Sequence, residues 1–393
     1  MVRIAHLADT HLGYKQYNLE EREKDIYDVL EEIGDRILEE HADIVIHSGD
    51  LFDSPRPTTQ AYYAFKRFLR QLDGKAELFA VLGDHDKPKI RSMPPQKLFD
   101  DQIQTLGMSG NAQHQQINVN GEKVVVAGIS NLSRNYRPLL LEELKKLEVL
   151  KKDCDCSILA LHEGIDKFFI EEACELALTE LPKSFNYYAM GHLHARIKAS
   201  HGQGELAYPG SSEIINSQEI MGWQKTGKGF NIIDANADDV KITEVNLERI
   251  RPQIEVKLNF AHFRDELNAF VRSLGSKEKL PVAHVRVEGK EVDRPGVLEA
   301  LNEALAGKVL TFRHRIDDTS QMRLPELKPG AFNISQILED YLKDKEITEL
   351  AADMLRHFRQ GDSDGAKNVA DEYFKRVSGG GVKVDDIEQS QVE

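Results

Sequence analysis

The sequence predicts an α/β fold in which strands and helices alternate around a largely parallel sheet. Short apolar runs, each of a length typical of one buried strand, alternate with longer segments whose apolar residues recur with helical spacing. Several of these apolar runs end directly in Asp or His. The chain has 393 residues, 40% of them hydrophobic, which predicts two or three domains with full-sized cores.

The first part of the chain alternates strand and helix. A capping box formed by Asn18 and Glu21 is expected to begin the first helix. The expected elements are a strand over 2–8, a helix over 18–40, a strand over 43–47, a helix over 58–71 and a strand over 78–82. This order is typical of a parallel sheet connected by helices.

The next part of the chain continues the alternation and then changes character. An apolar helix is expected near 96–106, a hairpin over 118–126, an amphipathic helix over 139–151 and a strand over 158–161. Short β-like runs separated by glycines continue to about Leu247, and they predict antiparallel strands that complete a second layer.

A composition shift after Arg251-Pro252 marks a second domain, with alternating strand and helix patterns but no Asp/His cluster of its own. A segment with two prolines and a glycine follows as a linker, then three short helical patterns, then a glycine-rich acidic tail. The predicted division is a first domain over 1–249, a second domain over 250–323, a linker over 324–332, a helical segment over 333–378 and a disordered tail over 379–393.

Charge and cysteine content exclude some classes of protein. The net charge of −15 argues against a protein that coats nucleic acid, although an enzyme acting on nucleic acid can use bound divalent cations as local positive charge. The cysteine number is three, which is odd, and this favours reduced thiols in a cytoplasmic protein. No apolar run is long enough to span a bilayer, so no membrane partner is expected.

Five apolar runs end in Asp or His, and the last of them, Tyr187–His194, is the most informative. A glycine ends the strand, and His192 and His194 follow with one residue between them. Residues i and i+2 of an extended segment point the same way, so these two histidines can reach one centre. Ligands of open α/β sheets collect at the carboxyl ends of strands, so the five ends are expected to converge. The residues concerned are Asp9, His11, Asp50, Asp84, His85, His162, His192 and His194.

These side chains are carboxylates and imidazoles without thiolates, a mixture that suits manganese, iron or zinc. Seven of them exceed the ligands of one tetrahedral ion, which favours two ions with a bridging carboxylate. His85 is then left over, and a histidine beside the ions can stabilise the transition state or protonate the leaving oxygen.

Taken in order, these motifs resemble the signature of the calcineurin-like metallophosphoesterases. The blocks are Asp9-x-His11, Gly49-Asp50, Gly83-Asp84-His85-Asp86, His162 and Gly191-His192-x-His194. Longer stretches resemble the archaeal DNA double-strand-break repair nucleases of the meiotic-recombination-eleven type, called SbcD in bacteria. Those stretches are 9–14, 50–52, 56–57, 187–194 and 208–211. The resemblance covers nearly the whole chain. It implies a four-layer core of two sheets flanked by helices, a small α/β capping domain and a C-terminal helical segment that binds an ATPase.

The resemblance also implies roles for the residues. Two manganese ions would share Asp50, with Asp9, His11 and His194 completing one site and Asp84, His162 and His192 the other. His85 would be the catalytic histidine. The family acts as a 3′-to-5′ exonuclease on duplex DNA and an endonuclease on single strands in DNA repair. It works as a homodimer bound to a coiled-coil ABC-type ATPase.

Two positions depart from the family pattern. Asp84 stands where the family usually has Asn before the catalytic histidine. A carboxylate still ligates metal, but its negative charge tends to weaken attraction for phosphate. Asp53 stands where a second histidine often follows the Gly-Asp block.

Three surfaces outside the metal site are predicted. Tyr14, Lys15 and Arg56 are expected to help hold the DNA backbone, with solvated loop positions as the alternative. The helix over 58–72 carries apolar residues on more than one face, and with the helix over 96–106 it predicts a homodimer interface that includes Tyr62 and Leu98. An apolar helical stripe near the C-terminus is expected to dock on the ATPase coiled coil, with folding back on the capping domain as the alternative. The stripe consists of Ile347, Leu350, Met354 and Phe358.

Three functions compete at this point. The first is a DNA nuclease, the second a phosphomonoesterase or nucleotide phosphodiesterase, and the third a scaffold that tethers DNA ends with an inactive metal site. The capping domain and the docking helices favour the nuclease, because a small-molecule phosphatase needs neither. The set of charged ligands argues against an inactive site, because burying them without metal is costly.

Overall fold

The computed structural model describes residues 1–88, 93–148, 154–169, 174–237, 239–275, 278–320, 342, 344–359 and 363–377. The chain divides into two compact units, residues 1–319 and residues 320–393. The linker predicted over 324–332 and the tail predicted over 379–393 lie outside the described residues.

The first sheet contains six strands within the described residues. They are β1 Val2–Leu7, β2 Ile44–Ser48, β3 Glu77–Val81, β4 Gln104–Thr105, β11 Gly229–Ala235 and β12 Val240–Asn246. Their order across the sheet is β12-β11-β1-β2-β3-β4. The four strands β1 to β4 are parallel, and β11 and β12 extend the sheet in antiparallel pairing. The strands predicted at the start of the chain therefore form a parallel half-sheet.

The second sheet also contains six strands. They are β5 Gln113–Val119, β6 Glu122–Ile129, β7 Cys156–His162, β8 Tyr187–Gly191, β9 Ile197–His201 and β10 Gly204–Tyr208. Their order is β5-β6-β7-β8-β10-β9, and the four central strands are parallel. The predicted hairpin is formed by β5 and β6 around Asn120-Gly121, both of which adopt positive φ angles.

Two sheets and two helical faces make four layers. The helices of these layers are α1 Glu20–Glu39, α2 Thr59–Leu72, α3 Arg137–Leu147 and α4 Ile220–Thr226. One apolar cluster lies between the sheets, where Ile46 and Phe79 of the first pack with Val126 and Ile158 of the second. A second cluster packs α1 and α2 on the first sheet, and a third packs α3 on the second. This is the predicted arrangement of two sheets flanked by helices.

A third sheet follows the composition shift. It consists of β13 Gln253–Asn259, β14 Val282–Gly289 and β15 Thr311–Asp318, all parallel. Helices α5 Phe263–Ser273 and α6 Arg294–Leu305 pack on one face of this sheet around their own apolar cluster. The sheet belongs to the same compact unit as the first two sheets.

The second unit contains two described helices, α7 Lys345–Arg359 and α8 Ser363–Val377, which pack against each other. No helix in the described part of the chain combines the length and apolar character needed to cross a membrane.

Two local predictions are wrong. The capping box at Asn18 does not form, because α1 begins at Glu20 and Leu19 precedes it without a side-chain cap. Asn18 instead ends a 3₁₀ turn and adopts a φ of 59°. The helix predicted over 96–106 is a 3₁₀ helix, Pro95–Phe99, followed by β4. Pairing of β4 with the edge of β3 competes with helix formation there.

His6 is fully buried between the sheets and is held by two hydroxyl groups. Its Nδ1 lies 2.7 Å from Tyr187 Oη and its Nε2 lies 3.0 Å from Ser48 Oγ. Burial, with a smaller effect from His47, lowers the pKa of His6 from 6.5 to about 3. The folded protein therefore keeps His6 neutral at pH values where the unfolded chain protonates it.

We expect the free energy of unfolding to fall as the pH drops below 6.5, because the unfolded state then binds the extra proton. The slope from His6 is about 1.4 kcal/mol per pH unit, or about 2 kcal/mol between pH 6.5 and pH 5. Urea unfolding of His6→Gln across this range should show a shallower pH dependence than the wild type. His114 is exposed on β5, so His114→Gln should leave the slope unchanged. Equal slopes in wild type and His6→Gln would contradict this account.

Candidate metal centre

The five strand ends that carry Asp and His converge on one place. Strands β1, β2 and β3 belong to the first sheet and β7 and β8 to the second, and each group is parallel. Their carboxyl ends therefore lie at the same edge of the two stacked sheets. The structure brings together all seven predicted ligands and His85 at this edge. Ligand atoms of Asp9, His11 and His194 form one group within 4.8 Å, and those of Asp84, His162 and His192 form another.

Four of these residues adopt a left-handed backbone conformation. The φ angles are 52° at Asp9, 45° at His11, 51° at Asp50 and 94° at His192. Such angles are unfavourable for residues with a Cβ and tend to occur at functional sites. Main-chain hydrogen bonds hold the turns in place, since Asp9 N donates to Gly49 O and His11 N donates to Asp50 O, both at 3.0 Å. The strand ends therefore turn sharply and aim adjacent side chains at one centre.

Glycines precede three of the motifs because the neighbouring strand ends leave no room for a side chain. A Cβ at Gly49 would overlap the ring of His162, and one at Gly83 would overlap the carboxylate and backbone nitrogen of Asp50. A Cβ at Gly191 would overlap the carbonyl oxygen of Ser48. Gly49 also has a φ of 90°. These glycines allow the strand ends to approach closely enough for their ligands to meet.

The first group of ligands has a geometry that fits a cation. His11 Nε2 and His194 Nε2 lie 3.2 Å apart. His11 Nδ1 lies 3.2 Å from Asp53 Oδ1, and His194 Nδ1 lies 2.8 Å from Glu219 Oε1. Each Nδ1 therefore carries the proton that it donates to a carboxylate, which leaves a lone pair on each Nε2. Two lone pairs at this distance repel each other, and a metal ion bound by both removes the repulsion.

The second group of ligands surrounds the Asp84 carboxylate. Asp84 Oδ1 lies 3.3 Å from His162 Nε2 and 3.4 Å from His192 Nδ1. Burial alone would raise the pKa of Asp84, but His162 and His192 together lower it well below its usual range. His162 is fully buried, and its Nδ1 lies 2.7 Å from the carbonyl oxygen of Ser48, which leaves Nε2 to face the centre.

Asp50 lies between the two groups. Its Oδ2 atom is 3.7 Å from His11 Nε2 and 3.4 Å from His162 Nε2. Burial opposes its ionisation, but His162 and then His11 lower the pKa of Asp50 to about 2. A carboxylate in contact with one histidine from each group is suited to bridge two ions.

His85 follows Asp84 and lies outside these two groups, although its ligand atom forms a further close set with those of His11 and Asp53. Its Nδ1 lies 2.9 Å from the carbonyl oxygen of Asp53, and its backbone N–H donates to Asp50 Oδ1 at 3.0 Å. The ring stands edge-on to that of His11 with centroids 4.9 Å apart. Its side chain is 45% exposed, so the remaining nitrogen, Nε2, is available to a phosphate bound at the centre.

Three residues that support the centre were not predicted as functional. Asp86 is fully buried and accepts hydrogen bonds from the backbone N–H groups of Leu51, Phe52 and Gly83. It ties the loop after β2 to the loop after β3, and burial, with Asp50 nearby, raises its pKa to about 6. The sequence feature that could have identified Asp86 is its position directly after His85.

Glu219 orients His194 and is itself held by Lys228 and Ser211. Burial opposes its ionisation, but His194 and Lys228 lower the pKa of Glu219 to about 2. Glu219 also forms a capping box with Asn216, so the sequence pattern around it indicates only the start of a helix. The pattern gives no sign that Glu219 orients His194. Asp53, the third of these residues, appeared in the sequence only as a departure from the family pattern.

The other predicted surface residues lie outside the two ligand groups. Lys15 is half-buried with its Nζ 3.5 Å from Glu20, Tyr14 is half-buried and Arg56 is exposed. Tyr62 is half-buried, with its ring centroid 5.5 Å from that of Phe52, whereas Leu98 is 56% exposed. Ile347 is 41% exposed, Leu350 and Met354 are half-buried, and the side chain of Phe358 lies outside the described residues.

Comparison with known proteins agrees with this geometry. Residues 2–196 match the family model described as calcineurin-like phosphoesterase. The chain is 32% identical to the DNA double-strand break repair protein Mre11 of Thermoplasma acidophilum over 92% of this chain and 95% of that protein. It is 34% identical to the Mre11 protein of Sulfolobus acidocaldarius over 87% of this chain and 90% of that protein. The Mre11 protein of Saccharolobus solfataricus is 32% identical over 96% of this chain and 99% of that protein.

The space at Gly83 gives a direct test of how the centre is built. In Gly83→Ala the new methyl group would displace Asp50, so we expect the affinity for Mn²⁺ to fall roughly 10- to 100-fold. Calorimetric titration of the metal-depleted protein measures this change. Gly222→Ala is the matched control, because a Cβ at Gly222 meets no atom within 4 Å. Wild-type metal affinity in Gly83→Ala would show that the close approach of Asp50 is not required.

Proposed function

We propose that this chain, which belongs to the Mre11 family of DNA double-strand break repair proteins within the calcineurin-like phosphoesterases, is a manganese-dependent nuclease that processes broken DNA ends. It is a metal-dependent phosphodiesterase. The observation that carries the proposal is the pair of ligand groups joined by Asp50, with His85 beside them. Two ions that share a carboxylate are typical of enzymes that cleave phosphate esters.

The ligand groups divide the work between two ions. Asp9, His11 and His194 would hold one ion, and Asp84, His162 and His192 the other, with Asp50 shared. When bound, the ions supply a nucleophile at neutral pH and neutralise charge on the phosphate. Carboxylate and imidazole ligands fit Mn²⁺, and they are also compatible with other divalent ions.

His85 would act on the phosphate and would not bind a metal ion. The main-chain carbonyl of Asp53 holds its Nδ1, which leaves Nε2 to contact a phosphodiester bound at the centre. From that position it donates a proton or a hydrogen bond to an oxygen of the phosphate as negative charge develops there. Its backbone N–H bond to Asp50 keeps it beside the bridging carboxylate.

The openness of the centre favours a polymer over a small phosphate ester. The side chains of Asp84 and His85 are 48% and 45% exposed, whereas pockets for small ligands usually enclose most of the ligand. The loop after His11 carries Tyr14 and Lys15, and Arg56 lies on the loop after β2, so we propose that these residues contact the DNA backbone.

The third sheet adjoins the same loop. Arg313 of β15 lies over the ring of Tyr17 at 5.1 Å, and His284 of β14 stands edge-on to that ring at 6.1 Å. A domain placed beside the metal-centre loop supports the proposal that it caps bound DNA. A small-molecule phosphatase has no need of such a domain.

Activity and partners follow from the family. We propose a 3′-to-5′ exonuclease activity on duplex DNA and an endonuclease activity on single strands, in complex with a coiled-coil ABC-type ATPase. The apolar residues Ile347, Leu350 and Met354 of α7 would contact that ATPase, together with Phe358.

A homodimer would bring two metal centres to one DNA. Tyr63 of α2 is 63% exposed and Leu98 of the adjacent 3₁₀ helix is 56% exposed, an unusual pair for a monomer surface. The rings of Tyr62 and Phe99 connect these two elements with centroids 6.2 Å apart. Tyr62 lies between the core and this surface, so we propose Tyr63 and Leu98 as the exposed centre of the interface.

His85→Asn should lower nuclease turnover by roughly 100-fold or more, because the group that assists the phosphate is lost. Two Mn²⁺ ions should remain bound, because His85 lies outside both ligand groups. The measurements are cleavage of linear duplex and of single-stranded DNA with Mn²⁺ and with EDTA, and metal content. His114→Asn, at an exposed position, is the control. Full activity in His85→Asn would overturn its catalytic role, and absence of Mn²⁺-dependent cleavage in the wild type would overturn the proposed function.

Tyr63→Asp combined with Leu98→Asp should make the protein monomeric, because it places charges in a buried apolar contact. Light scattering measures the mass, and the variant should bind duplex DNA more weakly while keeping its metal affinity. Tyr136→Asp changes another exposed tyrosine, 59% exposed before α3, and should stay dimeric. A dimeric double variant would show that the interface lies elsewhere.

A further inference from the structure

Asn131 connects the two sheets at the metal centre. It follows β6 of the second sheet and is only 5% exposed. Its backbone N–H donates at 2.8 Å to the carbonyl oxygen of Leu82, which directly follows β3 of the first sheet and comes two residues before Asp84. Its side-chain Nδ2 donates at 2.9 Å to the carbonyl oxygen of His162, at the end of β7. One residue therefore contacts both sheets beside their ligands.

The surroundings of the Asn131 side chain require a hydrogen-bond donor. Nδ2 also donates to Oε2 of Glu163 at 3.2 Å, and Glu163 is fully buried. The other carboxylate oxygen of Glu163 accepts from the backbone N–H of Leu132 at 2.8 Å. The amide group has two N–H hydrogens, which match the acceptors that His162 and Glu163 offer. A side chain without N–H groups would deprive both buried acceptors of this donor, which is costly.

Contacts that do not involve its side chain anchor Asn131 to the first sheet. The backbone N–H of Leu82 donates to Ser130 Oγ at 2.9 Å, and Ser130 Oγ donates to the carbonyl oxygen of Leu106 at 2.9 Å. The carbonyl oxygen of Asn131 accepts a hydrogen bond from Lys87 Nζ. A substitution at Asn131 keeps these contacts and removes only the two side-chain bonds at the end of β7.

The Asn131 side chain holds β7 at the point where its pairing with β6 ends. The last pair in that register is Ile129 opposite Leu161, so His162 lies one residue beyond it. The ring of His162 is held separately, because its Nδ1 lies 2.7 Å from the carbonyl oxygen of Ser48. Asn131 therefore fixes the main chain of this ligand and Ser48 fixes its ring.

We propose that Asn131 is a positioning residue that holds the His162 end of β7 against the first sheet and thereby sets the affinity for the ion of the second ligand group. That group consists of Asp84, His162 and His192. The effect passes through His162, and a displaced ligand binds its ion more weakly. The inference rests on the two-ion centre of the proposed function, but not on DNA as the substrate.

The test compares metal binding with turnover in Asn131→Ala. Calorimetric titration of the metal-depleted protein with Mn²⁺ should show one ion bound about 10- to 100-fold more weakly, while the other keeps its affinity. Hydrolysis of bis(p-nitrophenyl) phosphate should reach its half-maximal rate at a Mn²⁺ concentration raised by the same factor. At saturating Mn²⁺, kcat should return close to the wild-type value, because the bound ion then holds His162. His85→Asn should instead lower kcat without changing the Mn²⁺ dependence.

Two further variants separate the lost hydrogen bonds from other effects of the substitution. Asn131→Asp has nearly the same size but no N–H groups, so it should weaken the same ion at least as much as Asn131→Ala. An effect of the cavity alone would spare this variant. Asn302→Ala removes an exposed amide on α6 and should match the wild type in both measurements.

A double variant identifies the route of the effect. His162→Ala already removes the ligand through which Asn131 is proposed to act. Adding Asn131→Ala to this background should therefore cause little further loss of Mn²⁺ affinity. Thermal unfolding of each variant shows whether it is folded at the assay temperature.

Several results would overturn the proposal. They are wild-type Mn²⁺ affinity in Asn131→Ala, equal weakening of both ions, a kcat that stays low at saturating Mn²⁺, and wild-type behaviour of Asn131→Asp. Additive losses in the double variant would show that Asn131 acts by another route. If the wild type hydrolyses bis(p-nitrophenyl) phosphate but leaves DNA intact, the proposed nuclease function fails, whereas these measurements still decide the role of Asn131.

Discussion

The metal centre depends on the close contact between two histidine nitrogens, His11 Nε2 and His194 Nε2, which lie 3.2 Å apart. Their lone pairs repel each other unless a cation binds between them. The carboxylates of Asp53 and Glu219 favour a proton on Nδ1 of each ring, so both Nε2 atoms present lone pairs to the centre. Buried Asp9 and Asp50 add negative charge that also needs a partner. A divalent cation satisfies all of these groups together. The arrangement of these side chains is therefore suited to binding divalent metal ions, and the reaction at the centre would depend on those ions.

The backbone conformation at the strand ends positions the ligands of the centre. Ligands from two separate sheets approach closely because glycines precede three of the five motifs and because several ligands adopt left-handed turns. Asp86 then fastens the loops after β2 and β3 to each other through three backbone N–H groups. The strained turns persist because the rest of the two-sheet core determines where the strand ends lie.

The two departures from the family pattern are each accommodated. Asp84 contacts His162 and His192, so its extra charge would be offset by the ion that this group would hold. Asp53 contacts His11 and His85 and places a carboxylate where the family often has a histidine. Both changes add negative charge beside a site for a polyanion. In a chain with a net charge of −15, attraction for a polyanion would then depend strongly on bound cations.

The sequence by itself determined most of the element types, the parallel order of the first strands and the identity of the residues at five strand ends, because apolar period and strand-end chemistry are local. Tertiary structure decided the rest. Pairing of β4 with β3 replaced a predicted helix near Gln104, and a 3₁₀ helix over Gln16–Asn18 stands where the cap at Asn18 was expected. Glu219 contacts His194, and Asp53 contacts His11, which is 42 residues away in the sequence. A local sequence pattern does not predict contacts of this kind. The roles of the seven ligands remain predictions, but their meeting place follows from two sheets whose parallel strands end at one edge.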